Sequence, residues 1–189
     1  AGLLAGLENY KVSYILWTGV VRDTALFKEW QKALAKEQAQ DRAVVKLASA
    51  GQKIVISPKS QIEILYPFEN MAGKIMKDSN GSSIVCRLIY NKSSFLFTGD
   101  IGQPQEKEIV EKESGLLASS VLKVAHHGSR YSSFDDFLAA VSPAYAVISN
   151  GRDNSYGHPH LDVLARLTKF AITVLRTDHD GDIRFYNNL

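Results

Sequence analysis

Residues 121–129 have the sequence Val-Leu-Lys-Val-Ala-His-His-Gly-Ser. A short apolar run that ends directly in two histidines indicates a buried strand opening into a polar cluster. Two other predicted strands also end in polar clusters, at Thr98-Gly99-Asp100 and at Ser149-Asn150-Gly151. Ligands of layered α/β proteins gather at the carboxyl ends of strands, so we expect the three clusters to form one site.

The rest of the chain predicts hairpins first and then strands that alternate with helices. The apolar and turn patterns predict strands at 12–17, 53–56, 61–66, 83–90, 94–98, 121–125, 144–149, 172–176 and 182–186. They predict helices at 1–7, at 24–50 with Asp23 as N-cap, at 105–117, at 133–141 with Ser133 as cap, and at 161–170. Residues 68–82 are predicted to form a long loop. This order is typical of a layered α/β protein.

Composition excludes several classes of protein. The chain has 189 residues, of which 45% are hydrophobic and 22% charged, which excludes a disordered chain and a simple coiled coil. Its apolar runs are far shorter than the roughly 18 residues of a membrane span. The net charge of +2 does not by itself indicate nucleic-acid binding. The single cysteine, Cys86, excludes an internal disulfide.

The histidines are confined to the last third of the chain, at positions 126, 127, 158, 160 and 179. Histidine is the usual metal ligand and proton carrier at neutral pH. A carboxylate, Asp100, and imidazoles that arrive from separate strands predict a metal site. Oxygen and nitrogen ligands suit Zn²⁺, Mn²⁺ or Fe, and Asp100 could bridge two ions.

The other polar residues have several interpretations. His158 can serve as a metal ligand, as a general acid or as a phosphate-binding cation, or it can cap the following helix. His160 is interpreted as structural and His179 as a turn residue. The stretch 80–83 is interpreted as a turn.

The motifs together resemble a known family. In order they are Thr98-Gly99-Asp100, residues 122–129, Ser149-Asn150-Gly151 followed by 154–159, and Arg176-Thr177-Asp178. This series resembles the metallo-β-lactamase-like domain of the ComEC competence proteins, the DNA-uptake channels of bacteria. The resemblance covers nearly the whole chain, and the ordered set around His-His-Gly-Ser makes it specific.

The resemblance implies one domain over 1–189 with a four-layer αββα sandwich. It implies a metal-dependent phosphodiesterase or nuclease that uses one or two divalent ions, zinc or manganese, and degrades the DNA strand that is not imported. It assigns Asp100 as the bridging ligand, His126 or His127 as the later histidine ligand with a slight preference for His126, and His158 as a catalytic residue beside Asp100. Ser129 and Asn154 would line the phosphate pocket.

The same resemblance implies partners and a location. Single-stranded DNA would be the substrate, the membrane channel would be part of the same parent chain, and no small-molecule cofactor is expected. The parent would be an integral protein of the bacterial cell membrane with this domain extracytoplasmic, and the fragment itself would be soluble.

The chain departs from the family pattern at its start. Family members carry an HxHxDH-type motif after an early strand, but this chain has no histidine before 126. We therefore expect an N-terminally truncated domain that begins just after the motif, with an incomplete site and doubtful activity as a fragment.

Two other functions stay open. One is a free-standing hydrolase of the same fold that acts on another phosphoester or a lactone. The other is a non-catalytic module that binds DNA or a protein and retains a degenerate metal site.

Overall fold

A seven-stranded mixed sheet forms the centre of the structure, a computed structural model that describes residues 2–40, 42–76 and 78–186. The helices α1 to α6 occupy Gly2–Asn9, Ala25–Ala39, Gln103–Leu117, Asp135–Val141, Leu161–Lys169 and Thr177–Asp180. The strands β1 to β9 occupy Tyr14–Trp17, Val44–Leu47, Lys53–Ser57, Ser60–Tyr66, Val85–Tyr90, Ser93–Phe97, Val121–Lys123, Tyr145–Ile148 and Thr173–Arg176. Ala1, where the first predicted helix starts, lies outside the described residues, as does Lys77 in the predicted loop.

The seven strands β3 to β9 lie in the sheet in the order of the sequence. Strands β3 to β6 are antiparallel: short turns join β3 to β4 and β5 to β6 as hairpins, and the long segment 67–84 joins β4 to β5. Strands β6 to β9 are parallel, because α3, α4 and α5 lie between them in the chain. The predicted change from hairpins to alternating strands and helices is confirmed, and so is the layered α/β class.

One face of the sheet forms the main core. Leu96, Leu122 and Ala146 lie side by side on β6, β7 and β8, and all three are fully buried. Helices α3, α4 and α5 contribute Ile109, Leu138, Val163 and other apolar side chains to the same cluster. Burying a leucine side chain stabilises the folded state by about 1.5–3 kcal/mol, so this layer fixes the strand ends on which the site is built.

A second, smaller sheet lies nearer the start of the chain. It consists of β1 and β2, which pair in parallel from Tyr14 opposite Val44 to Trp17 opposite Leu47. Ile15 and Leu34 bury a separate apolar cluster between this sheet and α2. Two sheets, each with helices, agree with the predicted layering.

The predicted helix at 24–50 is wrong over residues 42–50, and Asp41 lies outside the described residues. Helix α2 ends at Ala39, and residues 44–47 form β2 instead. Val44 and Val45 are β-branched, and backbone pairing with β1 outweighs the helical spacing of the preceding residues. The N-cap of α2 is Thr24 and not the predicted Asp23. The Thr24 side chain accepts a hydrogen bond from the Phe27 N–H.

Two predictions near the carboxyl terminus are also wrong. Ser133 does not cap α4: it has a left-handed backbone (φ +59°), and the residue that precedes the helix is Phe134. Residues 182–186 form no strand. Instead Phe185 packs edge-on against Phe95 and Tyr145 on the half-exposed face of the sheet.

Within the described residues, no helix combines the length and hydropathy that a membrane span requires.

Candidate metal centre

The predicted polar clusters meet at the carboxyl-terminal ends of three neighbouring strands of the large sheet, which we call the sheet edge. Strands β6, β7 and β8 are parallel, so Asp100, the two histidines and Ser149 follow strand ends on the same side. The His126 N–H donates to the Gly99 carbonyl at 3.1 Å, which ties the first two clusters together. The neighbourhood expected from the sequence is therefore present in the structure.

Asp100 and His127 face each other across this edge. The Asp100 Oδ1 lies 3.6 Å from the His127 Nε2, and both side chains are partly exposed. Two ligands of one tetrahedral zinc, each bonded at about 2.1 Å, are separated by about 3.4 Å. The pair thus has the spacing of two ligands of a single ion.

A backbone carbonyl sets the tautomer of His127. The His127 Nδ1 lies 2.6 Å from the Ser149 carbonyl oxygen, which can only accept a hydrogen bond. The proton of a neutral ring is therefore on Nδ1, and Nε2, which lies 3.6 Å from Asp100, carries the lone pair. Metal-binding histidines commonly donate their other ring N–H to a carbonyl in this way.

The backbone around the histidines is held in an uncommon conformation. His126, His127 and Gly128 have φ of +49°, +56° and +83°, and left-handed backbone is unfavourable for residues with a side chain. A Cβ on Gly128 would lie 2.7 Å from the Cβ of Pro159, so the loop packs closely against the chain that follows His158. This packing maintains the directions of the two imidazoles.

The two histidines have different surroundings. His126 directs its Nε2 towards the Asn80 Nδ2 at 3.3 Å, and its ring meets that of His158 edge-on with centroids 5.9 Å apart. In the structure His127 is the one that faces Asp100, whereas the sequence analysis slightly preferred His126. The assignment of ligands stays a prediction.

His158 lies in a partly buried position beside both histidines. Burial, followed by the nearby His126, His127 and His160, lowers the pKa of His158 below its usual value. Its Nδ1 is buried and makes no hydrogen bond. A neutral imidazole suits a ligand or a hydrogen-bonding group better than a standing phosphate-binding cation. The helix cap that the sequence left open for His158 is His160, whose Nδ1 accepts from the Asp162 N–H.

The two residues expected in a phosphate pocket take part in the loops themselves. Ser129 is 4% exposed, and its Oγ accepts from the Tyr131 N–H at 3.5 Å. The amide of Asn154 donates to the His158 carbonyl at 2.6 Å and accepts from the His158 N–H at 3.0 Å. Asn154 therefore holds the backbone of His158, and the substrate contacts of both residues stay predictions.

The turn at 79–83 contributes side chains that the sequence analysis did not place in the site. Besides the contact of Asn80 with His126, the Ser83 Oγ accepts from the Asp100 N–H at 3.0 Å. The prediction of a turn here is confirmed, since residues 80–82 form a 3₁₀ turn. The polar sequence of this turn was the available signal. Only the fold brings Ser83 beside Asp100, 17 positions later in the chain, and Asn80 beside His126, 46 positions later.

Lys123 is a second residue that sequence reasoning did not select. Its Nζ lies 3.5 Å from the Gly99 carbonyl oxygen and 3.4 Å from that of Val124. Burial lowers the pKa of Lys123, and the nearby Asp100 carboxylate opposes that effect. A basic side chain thus lies near the acidic ligand candidate.

A large cavity borders the site but differs from it in character. It measures about 1070 Å³ and is lined mainly by apolar side chains of α1, β1 and α2, with Ser83 and Gly99 at one side. Such a lining does not suit a phosphate group, because a buried charge needs polar partners. We therefore place the candidate chemistry at the sheet edge.

The donor set fits a metal ion only in part. Across residues 2–40, 42–76 and 78–186, no three His, Cys, Asp or Glu side chains are grouped as a metal site would require. Asp100 and His127 supply two donors of suitable type and spacing, and a stable zinc site needs three or four.

Comparison with known proteins gives consistent matches. Residues 6–152 match the family described as the metallo-beta-lactamase superfamily. The chain is 44% identical over 108 residues to competence protein ComA of Neisseria gonorrhoeae, which is 57% of this chain and 16% of that protein. It is 40% identical over 110 residues to ComE operon protein 3 of Bacillus subtilis, covering 58% and 14%. It is 34% identical over 110 residues to recombination protein 2 of Haemophilus influenzae, again covering 58% and 14%. The matched segment thus covers about a seventh of the length of these relatives.

Proposed function

Because the chain belongs to the metallo-β-lactamase superfamily, we propose that it hydrolyses phosphodiester bonds of DNA with the help of divalent metal ions. Proteins of this superfamily generally bind divalent metals such as zinc, and a metal-dependent hydrolase is the activity class that membership supports. The fold class and the resemblance to competence proteins expected from the sequence are confirmed. Degradation of the strand that is not transported during DNA uptake is the finer part of the proposal.

The facing pair of Asp100 and His127 is the observation that carries this proposal. The 3.6 Å between the carboxylate oxygen and the ring nitrogen suits a shared ion, and the contact with the Ser149 carbonyl places the proton of a neutral ring on the other nitrogen. A bound ion there would lower the pKa of a coordinated water so that hydroxide forms near neutral pH.

The chain's own residues would orient these groups. The Ser83 hydroxyl accepts a hydrogen bond from the Asp100 N–H, and the Ser149 carbonyl contacts the Nδ1 of His127. The Asn154 side chain makes hydrogen bonds to both the N–H and the carbonyl of His158. These bonds hold the His158 imidazole beside His126. In the proposed reaction the neutral His158 ring takes a proton from the attacking water and then passes it to the leaving oxygen.

DNA as the substrate is supported by the relatives and not by charge. Two of the matched proteins have names that refer to competence and to recombination. The net charge of +2 favours no polyanion, so metal ions would have to provide much of the attraction for phosphate. A membrane channel in the same protein and an extracytoplasmic location belong to this proposal as well.

The test is a nuclease assay on the full-length protein that carries this chain, with single-stranded DNA and with Mn²⁺, Mg²⁺ or Zn²⁺. Asp100→Ala should abolish cleavage, while Asp182→Ala, the same change at an 88% exposed carboxylate, should leave it unchanged. Zinc affinity, measured by competition with a chromogenic chelator, should fall by about 10-fold or more in His127→Ala. Cleavage by Asp100→Ala at the wild-type rate would refute the assignment.

A non-catalytic binding module is the second candidate. The observation that favours it is the lack of a three-ligand cluster among the residues that the structure describes. DNA binding by a protein that neither cleaves DNA nor takes up zinc would support this alternative.

A further inference from the structure

Three aromatic rings form a series that leads from the candidate metal centre to the protein surface. His126 meets His158 edge-on at 5.9 Å, and His158 is stacked on Tyr156 with centroids 6.0 Å apart and planes 23° apart. Tyr156 is 81% exposed, so the face of its ring that does not contact His158 is open to solvent. We call His126, His158 and Tyr156 the ring series.

The loop that carries Tyr156 is fixed at both ends. Asn154 makes hydrogen bonds to both the N–H and the carbonyl of His158. Gly157 supplies the left-handed conformation (φ +68°) that closes the turn, and Pro159 packs against Gly128. The exposed ring is therefore already oriented relative to the site, which reduces the entropy that a ligand must offset on binding.

An exposed aromatic ring beside a phosphodiesterase site suits a nucleobase. Each base has a flat π face, so an aromatic side chain can stack on any base without reading its sequence. In a duplex the neighbouring pairs cover both faces of a base. An open tyrosine face therefore distinguishes an unpaired nucleotide from a paired one.

We propose that the open face of Tyr156 is a nucleobase subsite, where an unpaired base of single-stranded DNA stacks next to the phosphate held by the metal centre. This inference rests on the proposed function and deepens it, since it gives a physical reason for a preference for single strands.

The experiment measures binding of a short fluorescein-labelled single-stranded phosphorothioate oligonucleotide, which resists cleavage, to the full-length protein by fluorescence anisotropy in the presence of Mn²⁺. Tyr156→Ala should weaken binding by about 5- to 150-fold, which is the range expected for one stacked base. Tyr156→Phe keeps the ring and should bind within about 2-fold of wild type. Tyr186→Ala removes a ring that is 79% exposed outside the ring series and serves as the matched control.

A series of oligonucleotides with one abasic position each separates stacking from other losses. At one position the missing base should weaken wild-type binding and should make no further difference to Tyr156→Ala. Equal binding by wild type and Tyr156→Ala would overturn the subsite. So would a difference in affinity between the two proteins that persists at every abasic position. If the wild type still cleaves DNA with metal, the proposed function survives that result. A wild type that neither binds nor cleaves DNA refutes the proposed function and the subsite together.

Discussion

Replacing Glu106 with glutamine should change how the stability of the protein depends on pH. Glu106 lies on α3 and is 1% exposed, and its two oxygens accept from the N–H groups of Ser133 (2.5 Å) and Phe134 (3.0 Å). Arg166 approaches from α5 and donates to the carbonyls of Arg130, Ser132 and Ser133. The carboxyl group thus helps to hold the segment that follows His-His-Gly-Ser.

Burial raises the pKa of Glu106 from 4.5 to about 7, against the opposing effect of the two N–H groups and of Arg166. Below about pH 4.5 the group is protonated in both the folded and the unfolded chain. Between 4.5 and about 7 the unfolded chain loses the proton and the folded chain keeps it, so the free energy of unfolding falls as the pH rises. The difference between the two pKa values corresponds to a loss of about 3 kcal/mol above pH 7.

Glu106→Gln stays neutral, so it has no such dependence, but it replaces one acceptor with a donor. That change costs about 1–3 kcal/mol at every pH, because one buried N–H loses its partner. We expect the variant to be less stable than wild type at pH 5 and to match or exceed it at pH 8. Urea unfolding followed by far-UV circular dichroism at several pH values measures this difference.

The exposed Glu111 on the same helix provides a control, since its side chain is 61% exposed and lies 3.9 Å from Lys107. Glu111→Gln should leave the pH dependence as it is in wild type. If the difference between Glu106→Gln and wild type is the same at pH 5 and at pH 8, or if wild type gains on the variant as the pH rises, the carboxyl group is ionised in the folded protein. The reasoning from burial would then be wrong.

Two further substitutions test the site and the core. Gly99→Ala should lower the melting temperature and weaken zinc binding in the chelator assay. Gly99 has φ +54°, and a new Cβ would lie 2.6 Å from the Cβ of Ser83, whose hydroxyl accepts from the Asp100 N–H. Unchanged zinc affinity would contradict this link. Leu122→Ala should lower the free energy of unfolding by about 2–5 kcal/mol in urea titrations, because Leu122 is fully buried between two strands. Leu3→Ala, at a side chain 74% exposed, should cost much less, and equal losses would argue against the described core.

The strands of the large sheet could be predicted from the sequence because local pattern and tertiary structure agree there. Apolar runs separated by short polar turns predicted the hairpins. Apolar runs that end in polar residues predicted that Asp100 and His127 lie close together at the strand ends. The stretch at 44–47 could not be predicted in this way, because its partner is β1, some 30 positions earlier in the chain. Pairing over such a separation leaves no local signal.

The details of the site were less predictable than its position. Whether His126 or His127 faces Asp100 depends on two successive left-handed residues, which the sequence shows only through the neighbouring Gly128. The contacts of Asn80 and Ser83 arise because a turn packs beside strand ends that come later in the chain. Lys123 is partly buried in an apolar strand, and its charge in the sequence did not indicate that it lies near Asp100.

The sequential order of β3 to β9 has a consequence for how the protein is made. Each strand pairs with the one synthesised just before it, so no pairing in the large sheet passes over another strand of that sheet. As the chain leaves the ribosome, every new strand can add to an edge that already exists. The antiparallel strands β3 to β6 supply the first edge, and each later helix needs only to cross over before its strand docks. A chain arrested after any of these strands would hold a narrower sheet with β3 at one edge and its last strand at the other, and no strand in it would be waiting for a partner not yet synthesised.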